Sequence, residues 1–134
     1  MRDDATIPGA TTGGVRTVLR LEGLALLCLA LAGYAWIGEP WWLLALLLFV
    51  PDLSFAGYLG GPHVGAIAYN AAHATIGPIA LFAAGMAIPA PLVAAIACIW
   101  AAHVGLDRAI GYGLKYETGF AFTHLGRIGR RQPR

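Results

Sequence analysis

Four long apolar segments, separated by short clusters of turn-forming residues, occupy most of the chain. Glycine and proline mark all or part of each break, at residues 38–40, 60–62 and 89–91. Each segment approaches or exceeds the roughly 20 residues that an α-helix needs to cross about 30 Å of hydrocarbon. The pattern therefore predicts four transmembrane helices. Their expected bounds are residues 18–37, 41–59, 64–88 and 92–110.

Charged residues are scarce and lie mainly toward the two ends of the chain. They make up 12% of the sequence, where a soluble domain carries about 25%. All nine Lys and Arg residues fall within residues 1–20 or 108–134, so the three connections hold none. By the positive-inside rule both termini are expected in the cytoplasm, which an even number of spans permits. We therefore predict an all-α fold, an integral membrane four-helix bundle with cytoplasmic N and C termini.

The predicted bundle has short flanking segments. Residues 1–16 are expected to form a disordered cytoplasmic tail, and residues 17–128 a single four-span domain. Within that domain, residues 111–128 place aromatic side chains among glycines, which indicates an amphipathic or re-entrant segment over the cytoplasmic mouth of the bundle. Residues 129–134 form a basic tail that should meet anionic membrane lipids rather than nucleic acid.

Ionisable side chains inside the apolar segments mark a candidate site. Asp52 lies in the second segment, His73 in the third, and His103 and Asp107 in the fourth at a spacing of one helical turn. Each such group costs a few kcal/mol in hydrocarbon unless it faces a partner or water. A rise of about 1.5 Å per residue places all four toward the cytoplasmic half. They would form one site if they face inward.

Prolines are expected to distort the helices beside this site. Pro51 lacks a backbone donor and precedes Asp52 directly, so the second helix should kink there. Pro78 should bend the third helix about one turn beyond His73. A kink in a membrane helix can expose carbonyl groups to a ligand or to water.

Two carboxylates and two imidazoles supply both metal ligands and general acid–base groups. We therefore interpret Asp52, His73, His103 and Asp107 as catalytic residues or, alternatively, as ligands of a divalent metal. The leading hypothesis is a metal-dependent or acid–base enzyme that acts on a lipid-soluble substrate. Residues expected to support the site are Glu22, Tyr69, Asn70, Arg108, Lys115 and His124.

Three other functions remain open at this point. The same groups could relay protons in an ion-coupled channel, transporter or accessory subunit, which would require an oligomer. His73 and His103 could ligate a b-type haem between facing helices, although neighbouring carboxylates make haem the weaker cofactor hypothesis. The cluster could also be a structural polar network only. The sequence determines neither the substrate nor the oligomeric state.

Six short motifs resemble the DUF4260 family of small bacterial membrane proteins, whose function is unknown. The resemblance extends over residues 19–128 and implies a multi-pass protein of the bacterial inner (cytoplasmic) membrane. It supports the choice of site residues but implies no reaction. The motifs are LRLEG at 19–23, PDLS at 51–54, YNAAH at 69–73, HVGLDR at 103–108, GYGLKY at 111–116 and THLG at 123–126.

Overall fold

A computed structural model describes residues 9–129, which form six helices and a small β-hairpin. Residues 1–8 of the predicted N-terminal tail and residues 130–134 of the predicted basic tail (129–134) lie outside the described residues. The helices and strands are α1 (Gly13–Ile37), α2 (Trp41–Leu47), a 3₁₀ helix (Val50–Gly60), α3 (Pro62–His73), α4 (Ile76–Ala87), α5 (Pro91–Ile110), β1 (Phe122–Thr123) and β2 (Gly126–Arg127).

These helices form four segments that are long and apolar enough to cross a membrane. Helices α1 and α5 are each one segment, α2 and the 3₁₀ helix form the second, and α3 and α4 form the third. The four segments contain 25, 20, 26 and 20 residues. This architecture confirms the prediction of an all-α four-helix membrane bundle. We call the end of the bundle where α1 begins and α5 finishes the terminal end.

The first helix begins earlier than its hydrophobic pattern indicates. Helix α1 starts at Gly13, whereas the apolar segment starts at residue 18. In addition, the backbone N–H and the hydroxyl of Thr11 both donate to the His124 carbonyl, at 2.8 and 3.0 Å. Residues 13–16, which were expected in a disordered tail, thus form the first turn of α1, and Thr11 contacts the C-terminal segment.

Both middle segments change conformation near the predicted proline positions. The second becomes a 3₁₀ helix from Val50, immediately before Pro51. The third breaks at Ala74, whose backbone is extended with φ −76° and ψ 146°. Since an α-helical residue bonds the carbonyl four positions earlier, Pro78 lacks the donor that the Ala74 carbonyl would require. The break therefore precedes Pro78 by one turn.

Side chains of α5 satisfy carbonyl groups that the break in the third segment releases. The Trp100 indole donates from Nε1 to the Ala72 carbonyl at 2.6 Å. Arg108 donates from Nη2 to the His73 carbonyl at 3.4 Å. Trp100 lies so close to α4 that a Cβ atom on Gly77 would overlap its ring. A glycine at that position therefore permits the contact.

Helix α5 packs between α1 and α4 and is the most buried of the four spanning segments. Its crossing with α1 is a direct backbone contact. A Cβ atom on Gly105 would lie 2.6 Å from the Leu27 backbone nitrogen and 2.7 Å from the Gly23 carbonyl oxygen. Small residues allow such close approach of membrane helices. This crossing fixes the depth of the polar groups that α5 carries.

The segment after α5 folds as a β-hairpin on the terminal end. Strands β1 and β2 pair antiparallel, with Phe122 opposite Arg127, and an isolated bridge joins Lys115 to Thr123. No helix forms within residues 111–128, so the segment that was expected to be amphipathic or re-entrant is a hairpin. Glycines at positive φ, including Gly119 and Gly126, favour tight turns here over a continuous helix.

Candidate metal centre

Four predicted site residues converge in the half of the bundle nearer the terminal end. Asp52 comes from the 3₁₀ helix, His73 from the last turn of α3, and His103 and Asp107 from one face of α5. One ligand atom from each side chain lies within 4.8 Å of the others. We call these four residues the Asp/His centre.

The spacing of the ligand atoms matches a small metal site. The two Nε2 atoms of His73 and His103 are 3.1 Å apart. Each lies 3.3 Å from Oδ1 of Asp52 and 3.4 Å from Oδ2 of Asp107. A tetrahedral ion with metal–ligand distances of about 2.0–2.1 Å has ligand–ligand edges of about 3.3–3.4 Å. Four of the six edges thus fit a tetrahedron, and the edge between the two Nε2 atoms is slightly shorter.

Tyr69 orients two members of the centre. Its backbone carbonyl accepts a hydrogen bond from Nδ1 of His73 at 2.8 Å, an arrangement that leaves the Nε2 lone pair of His73 facing the centre. Its hydroxyl donates to Oδ2 of Asp107 at 3.4 Å. Its ring stacks on His73 with a centroid distance of 3.7 Å. Tyr69 is therefore an outer-sphere partner of the proposed ligands.

The centre gathers acceptor atoms in a buried, weakly polar environment. The side chains of His73 and His103 are only 3% and 1% exposed. Carboxylate oxygens and imidazole lone pairs at these distances repel one another, and the repulsion is strong where water cannot screen it. A cation or added protons must therefore balance the cluster. Asp52, whose side chain is 34% exposed, lies on its most accessible side.

Glu22, which was expected to support the site, lies outside the centre. Gly23, Ala30 and Tyr34 form the buried face of α1, and one helical step of about 100° turns Glu22 away from them. Glu22 is exposed, and within residues 9–129 it has no ion pair. Depth along the helix was therefore insufficient to place this side chain.

The β-hairpin is anchored beside the centre. Asn70 accepts a hydrogen bond from the Lys115 backbone N–H at 2.7 Å and donates to the Lys115 carbonyl at 2.8 Å. The buried Lys115 ammonium donates to the Phe120 carbonyl at 2.7 Å. It also lies 4.7 Å from the ring centroid of Tyr69. Asn70 and Lys115 thus connect the hairpin to the residue that orients His73.

The other polar residues of this end have structural contacts. His124 lies in the hairpin, where its Nδ1 accepts a hydrogen bond from the Leu114 N–H at 2.9 Å. Burial, assisted by the charge of Arg108, lowers the pKa of His124, which favours the neutral acceptor form. Arg108 bonds the His73 carbonyl from outside the centre. Neither His124 nor Arg108 contributes an atom to the metal-like cluster.

A family model described as a domain of unknown function, DUF4260, matches residues 16–128. The chain belongs to the DUF4260 family. The match confirms the resemblance found in the sequence motifs, and it includes all four residues of the Asp/His centre. No curated protein and no solved structure matches this DUF4260 chain significantly.

Two aromatic residues of this DUF4260 site were missed by the sequence analysis. Phe55 stacks on Tyr69 at a centroid distance of 5.4 Å, and Trp100 bonds the Ala72 carbonyl. Phe55 follows Asp52 by three residues, which is one turn of a 3₁₀ helix. In the expected α-helix the two side chains would lie about 60° apart around the axis instead of in line. Trp100 lies one turn before His103, a spacing that could have indicated a neighbouring role.

Lys115 is expected to make the stability of the hairpin depend on pH. Burial lowers its pKa to about 8, although the charge of Asp107 acts in the opposite direction. In the unfolded chain the pKa is about 10.4, so between these values the unfolded state binds more protons and stability rises with pH. We expect the melting temperature of the wild type to rise between about pH 8 and 10 relative to Lys115→Met. Parallel slopes for the two proteins would contradict this assignment.

Replacing Asn70 with alanine is expected to release the hairpin. The change removes both hydrogen bonds to the Lys115 backbone, each worth about 0.5–1.5 kcal/mol. Limited proteolysis in detergent should then cut residues 111–128 faster than in the wild type. Thr118→Ala is the control, because Thr118 is exposed and makes no side-chain hydrogen bond within the described residues. Equal cleavage rates for wild type and Asn70→Ala would show that other contacts hold the hairpin.

Proposed function

We propose that this DUF4260 member is a metalloenzyme of the bacterial inner membrane with cytoplasmic termini. In this proposal Asp52, His73, His103 and Asp107 bind one divalent cation and act on a lipid-soluble substrate. The observation that carries it is the set of four ligand atoms within 4.8 Å of one another, drawn from three separate helices. Four of the six edges between these atoms are 3.3–3.4 Å long, which are the lengths expected around a tetrahedral zinc ion.

The ligand set favours zinc or a metal of similar preference. Two imidazole nitrogens and two carboxylate oxygens are common Zn²⁺ ligands, and mixed nitrogen–oxygen sites also suit other first-row metals. The hydrogen bond from His73 to the Tyr69 carbonyl is the outer-sphere contact that metal-bound histidines usually make. Haem fits less well, because axial nitrogens on opposite sides of an iron would be about 4 Å apart, whereas these two are 3.1 Å apart.

The centre has the features of a catalytic site as well as those of a binding site. If the ion takes a fifth ligand, or if Asp52 gives up its position, a cation here would polarise a carbonyl or phosphoryl oxygen of the substrate or acidify a coordinated water. Asp52, the most exposed member, is the carboxylate best placed to exchange a proton with substrate or water. Tyr69 holds Asp107 through its hydroxyl, so these two residues keep the opposite side of the centre fixed.

Metal titration of purified protein tests the proposal directly. We expect wild-type protein to bind about one Zn²⁺ per chain, and Co²⁺ to give the intense visible absorption of a low-symmetry, near-tetrahedral site. Asp107→Asn should weaken binding more than the roughly 10–100-fold typical of losing an outer-sphere partner. Glu117→Gln is the matched control, since this exposed carboxylate pairs with His63 away from the centre. Failure of wild-type protein to bind metal above the Asp107→Asn background would refute the proposal in favour of a protonated network.

A further inference from the structure

An apolar cavity lies between the second segment and α5, beside the Asp/His centre. Its volume is about 370 Å³, which falls at the lower end of the range of about 300–1,000 Å³ for small-molecule sites. Leu47 and Val50 line one side, and Ile96 and Ile99 of α5 line the other. A cavity of this size and composition suits one hydrocarbon chain better than a polar molecule.

At two places in the chain, a residue that lines the cavity is the direct sequence neighbour of a residue of the centre. Pro51 and Ala72 line the cavity, and each immediately precedes a residue of the centre, Asp52 and His73 respectively. Along α5, Ile96 lies two turns before His103, which is roughly 10 Å farther from the terminal end. A molecule that enters both would thus place its polar group at the centre and its chain toward the middle of the bundle.

We propose that this cavity binds the hydrocarbon chain of a single-chain amphiphile whose oxygen-bearing end reaches the Asp/His centre. The inference rests on the proposed function and specifies its substrate class. Ser54 adds a polar feature to the otherwise apolar wall. Its Oγ atom is buried and has no hydrogen-bond partner within the described residues. A hydroxyl, ether or ester oxygen near the end of the chain would satisfy it.

A second apolar groove provides an internal control against ordinary bilayer lipid. It has a volume of about 280 Å³ and lies between α1, α4 and α5, where Leu29, Ile79 and Cys98 contribute to its lining. The residues that line this groove include no member of the Asp/His centre and no residue directly adjacent to a member in sequence. Bilayer chains that merely fill gaps between helices should occupy both grooves. A substrate chain should prefer the cavity beside the centre.

Photo-crosslinking in lipid vesicles tests this preference. The probe is a long-chain alcohol with a diazirine in its chain, and crosslinked peptides are mapped by mass spectrometry. We expect labelling around Ile96 to exceed labelling around Ile79 by about tenfold, the ratio given by a tenfold difference in affinity. Ile96→Trp should fill the cavity and abolish that excess, whereas Ile79→Trp should leave it intact. Equal labelling of the two grooves in the wild type would overturn the inference.

A smaller substitution tests the same inference without altering the volume of the cavity greatly. Ser54→Ala should reduce labelling by the alcohol but not by a matched alkane probe, because only the alcohol can bond Oγ. Equal loss with both probes would contradict the role of Ser54. Metal content is measured on the same samples, so the two proposals are separated. If the protein binds metal but the two grooves are labelled equally, only the substrate assignment is rejected. If the cavity beside the centre is labelled preferentially but no metal is bound, only the metalloenzyme proposal is rejected.

Discussion

Replacement of His103 with alanine is expected to eliminate metal binding and to lower the thermal stability of the protein in added Zn²⁺. The His103 side chain is 1% exposed, and its Nε2 atom lies within 3.4 Å of ligand atoms from His73, Asp52 and Asp107. Its loss leaves three ligands and a cavity in the core. A bound ligand at about 100 times its dissociation constant stabilises the folded state by about 2.7 kcal/mol, and the variant should lose that increment.

His63→Ala is the matched control for this experiment. His63 is an exposed histidine that pairs with Glu117 at 2.9 Å and lies outside the centre. We expect its variant to bind one Zn²⁺ per chain and to show the same metal-dependent rise in melting temperature as the wild type. His103→Gln serves as a second test, because it fills more of the vacated volume. Normal metal stoichiometry in both His103 variants would show that the ion binds elsewhere.

The four residues of the centre were predictable because hydrocarbon makes ionisable groups conspicuous. Asp52, His73, His103 and Asp107 interrupt apolar segments at comparable depths, and the one-turn spacing of the last two places them on one face of α5. Rotation about each helix axis was not predictable in the same way. Glu22 satisfies the depth criterion but lies next to buried Gly23 on the exposed side of α1.

The packing around the centre depends on contacts between residues distant in sequence. Asn70 bonds the backbone of Lys115, and Trp100 bonds a carbonyl that becomes free only because the third segment breaks at Ala74. The motif at 111–116 indicates that the segment matters, but its hairpin depends on where Asn70 lies in the folded bundle. Local sequence patterns therefore predicted the helices and the polar groups. They could not predict the tertiary contacts that orient those groups.

Gly105→Ala, at the crossing of α1 and α5, is expected to have the second large effect on stability. This crossing positions α5, the helix that carries His103 and Asp107. In Gly105→Ala the new Cβ atom would lie 2.6 Å from the Leu27 nitrogen and 2.7 Å from the Gly23 carbonyl oxygen. These are backbone atoms, which cannot rotate aside, so the helices must separate. Overpacking of this kind costs about 1–3 kcal/mol. We expect a clear fall in melting temperature in detergent and weaker Zn²⁺ binding.

Gly14→Ala is the control for that effect, since no heavy atom lies within 4 Å of a Cβ added at Gly14. The melting temperature should stay the same or rise slightly in this variant, because alanine favours a helix over glycine by at most about 1 kcal/mol. If Gly105→Ala were as stable as Gly14→Ala, the two helices would have room to separate without loss. The depth of His103 and Asp107 would then depend on contacts of α5 with α4 and the β-hairpin.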